Sequence, residues 1–503
     1  MRIAALRVKS SPWVHSLPGI ALFLLLWLLV YQGLAPASIV ESAFNSSMQF
    51  LPPDAVRDQP LASLLSIHIQ PPLLTSLQVV DLIYTPTSHA LFLSSQLVVG
   101  GLTIVLLVQT LEEVGVSPRV STALGVFYAL LPATVLYAFL PGGTSFVALG
   151  GVILIRATTL VSRRPISSAL FTGIGLLLLY LGRPTFTWIF VIGWLAVYAS
   201  IFLANTRATR TRVLSLALLL VLVFPIFVTQ SHYIRSFGTL TTSSWTGQNI
   251  MKAQTQSGWL RVSESTLSSL SVNRPCEHSL LTSLLSTRTQ NDVWDIDKSR
   301  QLIGCDVVLM EKSSPSDALQ LTSKGSGSDA APNLNSLSQL ELSKAWNRIA
   351  IEVIQDEPQR LLWMALTSGS GSVGSGLGLY LDPPESYFGL AEQRTAYPTP
   401  LLLIGGFASL LLAPSSLVLG ILGVASVFRH RRDGLSLGQI SLLASMLLLG
   451  YHVAVSTLFE YGENMRYQAE MVPVLITIGA LAVKQITSHF SPRIQSLGRA
   501  DGQ

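Results

Sequence analysis

Charged side chains are scarce in this sequence. Asp, Glu, Lys and Arg make up 12% of its 503 residues, about half the roughly 25% of ordinary soluble domains. Together with 49% hydrophobic residues, that shortage excludes a soluble globular protein. Cysteine is almost absent: Cys276 and Cys305 are the two, and without metal-ligand spacing they leave no structural zinc site. No Walker phosphate loop, G-x-S-x-G elbow or H-E-x-x-H pair occurs. No basic patch interleaved with aromatics is present, so the formal charge of +5 does not point to nucleic acid. Internal repeats and inverted pairs of broken helices are missing too, and with them the binding-site signature of secondary transporters.

Long apolar runs are what the sequence does have. Runs able to span a bilayer, about 17–25 residues each, fall at 16–35, 88–111, 120–140, 144–161, 166–182, 185–204, 212–229, 401–428, 436–459 and 468–486. The expected fold is an all-α polytopic membrane protein with about ten transmembrane helices. The run 401–428 contains Pro414, a possible kink or break. With Arg2, Arg7 and Lys9 placed in the cytoplasm, alternation brings Arg119, Arg163–Arg164, Arg207, Arg210, Arg212, Arg429, Arg431, Arg432, Lys484, Arg493 and Arg499 to the same side. This agreement with the positive-inside rule supports ten spans with both ends cytoplasmic. The first run also has the basic start and apolar middle of a signal peptide, but its apolar stretch is long for one.

Three parts follow: a membrane module over 1–229, with seven helices and an outer loop at 36–87; an extracytoplasmic region over 230–399; and a three-helix membrane module over 400–503. The middle part is too long for a simple connection. Its Ser/Gly-rich stretches, SKGSGSDAAPN at 323–333 and SGSGSVGSGLG at 368–378, read as mobile linkers. Between them, LSQLELSKAWNRIAIEVIQDEPQRLLWMALTS has helical periodicity, as expected of an amphipathic helix lying near the membrane. Cys276 and Cys305 fall on the oxidising side of this topology, where a disulfide is expected; two buried thiols are the alternative.

Polar groups gather at three outward-facing junctions. The stretch SIHIQPPLLTSL at 66–77 sets His68 and Gln70 just ahead of Pro71–Pro72. Two prolines at a helix start remove no internal hydrogen bond, so the segment is either a capping and packing device or one edge of a site. In the same loop Glu41 follows the first helix; it is either a solvated carboxylate or a general base near the bilayer surface. Asp54 and Asp58, with Arg57 beside them, read mainly as turn residues. The second junction, FEYGENMRYQAEMVP at 459–473, carries Glu460, Glu463, Arg466 and Glu470. It is either an interfacial salt-bridge cluster or a phosphate grip by Arg466 with Tyr467 beside it. The third is Arg183 in LGRPT, an arginine on the outer side with no positive-inside reason to be there. It either snorkels to headgroups or binds an anion.

In order and placement these motifs resemble the GT-C superfamily of polytopic glycosyltransferases, especially the protein O-mannosyltransferase and aminoarabinose-transferase-like branch. Glu41 stands where that family has an acidic residue, usually Asp. HIQPPL at 68–73 is similar to its H-x-PPL motif with one extra residue. LGRPTFTWIFVIGW is similar to its R-P-T-A-type junction, and NMRYQAEMVPVLITIGA to its R-Y-R-x-x-x-E-P-x-L pattern. The likeness covers the membrane part of the chain. It implies an inverting transfer of a sugar from a polyprenyl-phosphate donor, its tail in the membrane lipids, to an extracytoplasmic glycan, lipid or protein acceptor. Glu41 and His68 would be the catalytic pair, Glu41 as base, with Asp54 or Asp58 as alternatives to it. Arg183, Arg466 and Tyr467 would bind the donor phosphate, and Gln70, Asp54, Asp58 and Glu463 would position donor or acceptor. The scheme calls for no cofactor and no metal. A transporter or flippase of lipid-linked sugars, or a non-catalytic scaffold, are the competing expectations.

Overall fold

The computed structural model describes residues 12–33, 36–46, 50–139, 143–206, 208–241, 243–256, 260–287, 323–324, 331–332, 335, 337–359, 363, 399–429, 435–459 and 464–500. Over these residues the chain is overwhelmingly helical. In order come α1 (Pro12–Gly33), α2 (Pro36–Ser46), α3 (Pro53–Asp58), α4 (Pro60–Leu65), α5 (Pro72–Tyr84), α6 (Ala90–Glu113), α7 (Pro118–Leu130), α8 (Pro132–Leu136), α9 (Thr144–Leu160), α10 (Pro165–Gly182), α11 (Trp188–Asn205) and α12 (Thr209–Phe237). Helices α13 (Thr246–Gln256), α14 (Glu264–Asn273), α15 (Pro275–Thr287) and α16 (Leu337–Asp356) follow, then α17 (Thr399–Arg429), α18 (Leu437–Phe459) and α19 (Asn464–Ala500).

Among the described residues, eight helices are long and apolar enough to cross a membrane: Trp13–Gln32, Ala90–Glu113, Pro165–Gly182, Trp188–Asn205, Thr209–Phe237, Leu411–Arg429, Leu437–Ser456 and Ala469–Ser488. The protein is therefore an all-α integral membrane protein. Each of the eight coincides with a run expected from the sequence; the other two expected spans differ. Thr144–Leu160 is apolar but shorter. The run 120–140 is broken between α7 and α8, where Leu131 is extended (φ −69°, ψ 123°) ahead of Pro132. A residue before proline is pushed out of the helical region, so this run is not one helix. Pro414, by contrast, sits inside the continuous helix α17.

Helix α9 lies at the centre, packed on α6, α10, α18 and α19. Its buried face is nearly continuous, from Phe146 and Val147 through Val152 and Ile155 to Leu160. One apolar cluster joins α9 to α1, α2, α6 and α7 around Phe23, Phe44, Phe92 and Phe139. A second joins it to α10, α11, α18 and α19 around Leu176, Phe190, Leu448 and Val474.

The region beyond α12 has its own core. Ile250, Met251, Leu281, Leu284, Trp346 and Ile349 bring α13, α15 and α16 together. The apolar face of α16 is thus covered by α13–α15. The boundary expected at residue 229 falls inside α12, which runs on to Phe237 and stops where Gly238 adopts a left-handed conformation. Part of the first Ser/Gly-rich stretch pairs as a two-stranded antiparallel ribbon, Ser323–Lys324 with Ala331–Pro332; the second, 368–378, lies outside the described residues.

Candidate functional site

The HIQPP segment is a junction between the membrane helices and the outer region. Pro71 is the N-cap of α5 and Pro72 its first residue, so neither ring removes a helical hydrogen bond. His68 is fully buried. Its Nδ1 lies 2.9 Å from Ser244 Oγ, and its carbonyl accepts from the Ser244 amide at 2.7 Å. Its own amide donates to Asn335 Oδ1 at 3.3 Å, and its ring packs 5.3 Å from Phe237. The Gln70 carbonyl accepts from the Tyr233 hydroxyl at 2.8 Å. Ser244, Asn335 and Tyr233 come from three separate stretches, so this segment ties the start of α5 to the end of α12 and to the outer region. The observed contacts of His68 are those of a packing and capping element between α5, α12 and the outer region.

Arg183 forms the centre of a second, equally buried cluster. Helix α10 ends at Gly182, and Arg183 takes up an extended conformation. A Cβ on Gly143 would run into the Gly182 carbonyl oxygen, so the approach of the two backbones requires glycine there. Arg183 is 1% exposed and its Nε donates to Glu470 Oε1 at 2.6 Å. The other carboxylate oxygen of Glu470 is 3.4 Å from His452 Nε2, and Phe186 stacks on that imidazole at 5.3 Å. The Tyr451 hydroxyl donates to the Thr185 carbonyl at 2.9 Å. On the opposite side of the turn, Leu73 Cδ2 comes within 3.7 Å of where a Gly182 side chain would begin. The start of α5, the end of α10, the end of α18 and the start of α19 therefore meet at one place.

The other described residues expected at the site lie on α2, α3, α15 and α19. Arg466 and Tyr467 lie in the first turns of α19. Arg466 is one helical turn, about 6 Å along the axis, ahead of Glu470. Glu41 is exposed on α2, on the side away from the buried Val40, Ala43 and Phe44. Asp54 makes an exposed 3.2 Å pair with Arg57 three residues on, and Asp58 is exposed at the end of α3. Cys276, in the first turn of α15, is disulfide-bonded. Glu463 and Cys305 lie outside the described residues. Among the described residues no three His, Cys, Asp or Glu side chains are grouped as metal ligands would be.

Sequence reasoning missed several buried ionic groups. Glu470 was visible as a charge at membrane depth but not as the partner of Arg183, and His452 was a lone imidazole in an apolar run. Asp81 and His89 are paired at 2.6 Å with both side chains buried. Asp81 also accepts from the Phe92 amide at 3.0 Å, which satisfies one of the unpaired donors at the start of α6. At the other end of the bundle, Glu113 accepts from Arg156 Nη2 at 3.0 Å and from Thr159 at 2.8 Å, and Glu112 pairs with His15 at 2.6 Å. An acidic pair next to a loop reads as solvated, and only the fold brings Arg156 to it.

Compared with protein-family models, with curated proteins and with solved structures, the chain matches none.

Proposed function

We propose that the protein is a membrane glycosyltransferase of the GT-C type, moving a sugar from a polyprenyl-phosphate donor to an extracytoplasmic acceptor with inversion. One observation carries this: three of the four motifs behind the resemblance, distant in sequence, adjoin at Arg183. The PPL start of α5 touches Gly182 through Leu73, LGRPT supplies Arg183, and NMRYQAE supplies Glu470, with Arg466 one turn before it. A phosphate at headgroup depth needs guanidinium groups there, fixed in place before it arrives. Glu470 is the positioning residue that fixes Arg183, while His68 and Gln70 hold the start of α5 in register with it. In the transfer, Glu41 removes the proton from the acceptor hydroxyl and the oxygen attacks the anomeric carbon. The bond from that carbon to the phosphate oxygen breaks, and polyprenyl phosphate leaves with the electron pair, its charge met by Arg183 and Arg466. The topology that goes with this scheme has cytoplasmic termini and an outer active site.

The part-buried Arg156–Glu113–Thr159 group favours a second reading, transport of a lipid-linked sugar, because a carrier needs polar groups in both halves of its bundle. One assay separates the two. Purified protein in liposomes is given a labelled polyprenyl-phosphate sugar and a mixture of hydroxyl acceptors. A new glycosidic bond formed by the wild type and lost about 100-fold or more in Glu41→Gln, as for removal of a general base, supports the transferase. Undiminished transfer by Glu41→Gln removes Glu41 as base. Labelled lipid crossing the bilayer with no new bond overturns the transferase altogether.

A further inference from the structure

At the end of the bundle opposite Arg183, two cavities meet at one lysine. The larger, about 510 Å³, runs between α7, α17 and α19 and is walled mainly by apolar groups, among them Leu124, Phe127, Leu419, Ile476 and Val483. The smaller, about 440 Å³, is mixed: Val114, Leu437 and Leu481 line it together with Arg163, Ser436, Gln485 and Ser488. Gly115 and Lys484 line both. Lys484 is held at the junction: its Nζ donates to the Val114 carbonyl. Gly115 is in the left-handed region (φ 82°), which favours glycine, and the end of the Lys484 side chain lies where a Cβ would be. Glu113 borders the smaller cavity, but its carboxylate is already neutralised by Arg156 at 3.0 Å. Among the described residues, Lys484 and Arg163 are the other charged groups lining this cavity, beside hydroxyl and amide groups. Lys484 lies fourteen residues beyond Glu470 on α19, roughly 21 Å along the axis, so this place is separate from the Arg183 cluster.

An apolar slot that opens beside a basic, hydrogen-bonding recess matches one kind of molecule in a bilayer. We infer that the paired cavities bind an anionic glycerophospholipid, with one acyl chain in the α7–α17–α19 slot and the phosphate between Lys484 and Arg163. Each cavity falls in the range of about 300–1,000 Å³ usual for small-ligand sites. Basic recesses between membrane helices are suited to anionic headgroups. The inference does not depend on what reaction the protein performs.

The test uses the full chain in detergent, titrated with dioleoyl-phosphatidylglycerol or dioleoyl-phosphatidylcholine and read by native mass spectrometry. The expected result is preferential retention of phosphatidylglycerol by the wild type. Lys484→Gln, which keeps a donor for the Val114 carbonyl but removes the charge, should weaken that retention about fivefold. Gly479→Leu should exclude the lipid by filling the slot from a position where a Cβ meets nothing nearer than Ser416 Oγ at 3.4 Å. Equal retention of the two lipids by the wild type overturns the inference, and so does unchanged phosphatidylglycerol retention in both variants. Soluble glycerol 3-phosphate binding as well as the lipid would also overturn it, by assigning the recess to a free phosphate compound.

Discussion

The two ends of the helix bundle each bury an arginine against a glutamate, and they do so differently. Around Arg183 and Glu470 the side chains are 2% and 0% exposed, and Phe186 stacks on His452 beside them. Around Arg156 and Glu113 the values are 9% and 25%, and a cavity opens beside the glutamate. Two charges withdrawn from water are held together only while both are present, and losing one strands the other. The dry end is therefore the brittle one, and the wetter end tolerates change.

That contrast sets the order of expected effects. Glu470→Ala should destabilise the folded protein most, by about 3–5 kcal/mol, measured by thermal or denaturant unfolding in detergent. Replacing both partners, Arg183→Leu with Glu470→Leu, should recover most of that loss, because a buried pair exchanged for packed apolar groups is often neutral. In the proposed transferase the same double variant should still fail to bind donor. If Glu470→Ala unfolds at the wild-type midpoint, the distinction between the two ends is lost. Glu113→Ala should cost less, about 1–2 kcal/mol, since Glu113 is 25% exposed beside a cavity and its loss lets water in to Arg156. A loss as large as that of Glu470→Ala would place both ends in the same class. Asp54→Ala should change stability by under about 1 kcal/mol, as for other exposed pairs. A larger effect would show that the Asp54–Arg57 pair is more than a local turn contact.

Hydrophobic run length located the spans well because it reports a demand of the bilayer itself. Eight apolar helices fall where the sequence placed them. Proline was less readable: Pro414, the expected weak point, stays inside α17, whereas Pro132 ends α7. The cost of a proline is local, but whether neighbouring helices compensate for it is not. The HIQPPL stretch could be placed at a helix start from its residues alone. That His68 would reach Ser244, 176 residues away, or Arg183 reach Glu470, 287 residues away, lies beyond any spacing rule, because nothing local distinguishes a strut from a ligand. The apolar face of α16 could be seen, but not which helices would cover it.

The long reach of the Arg183–Glu470 bond has a consequence during biosynthesis. At roughly 5–20 residues per second, a ribosome needs about 15–60 s to pass from the arginine codon to that of its partner. Throughout that interval the nascent α10 turn lacks the Glu470 carboxylate that Arg183 bonds in the folded protein. The N-terminal half therefore gains its full set of contacts only when the last helix is delivered.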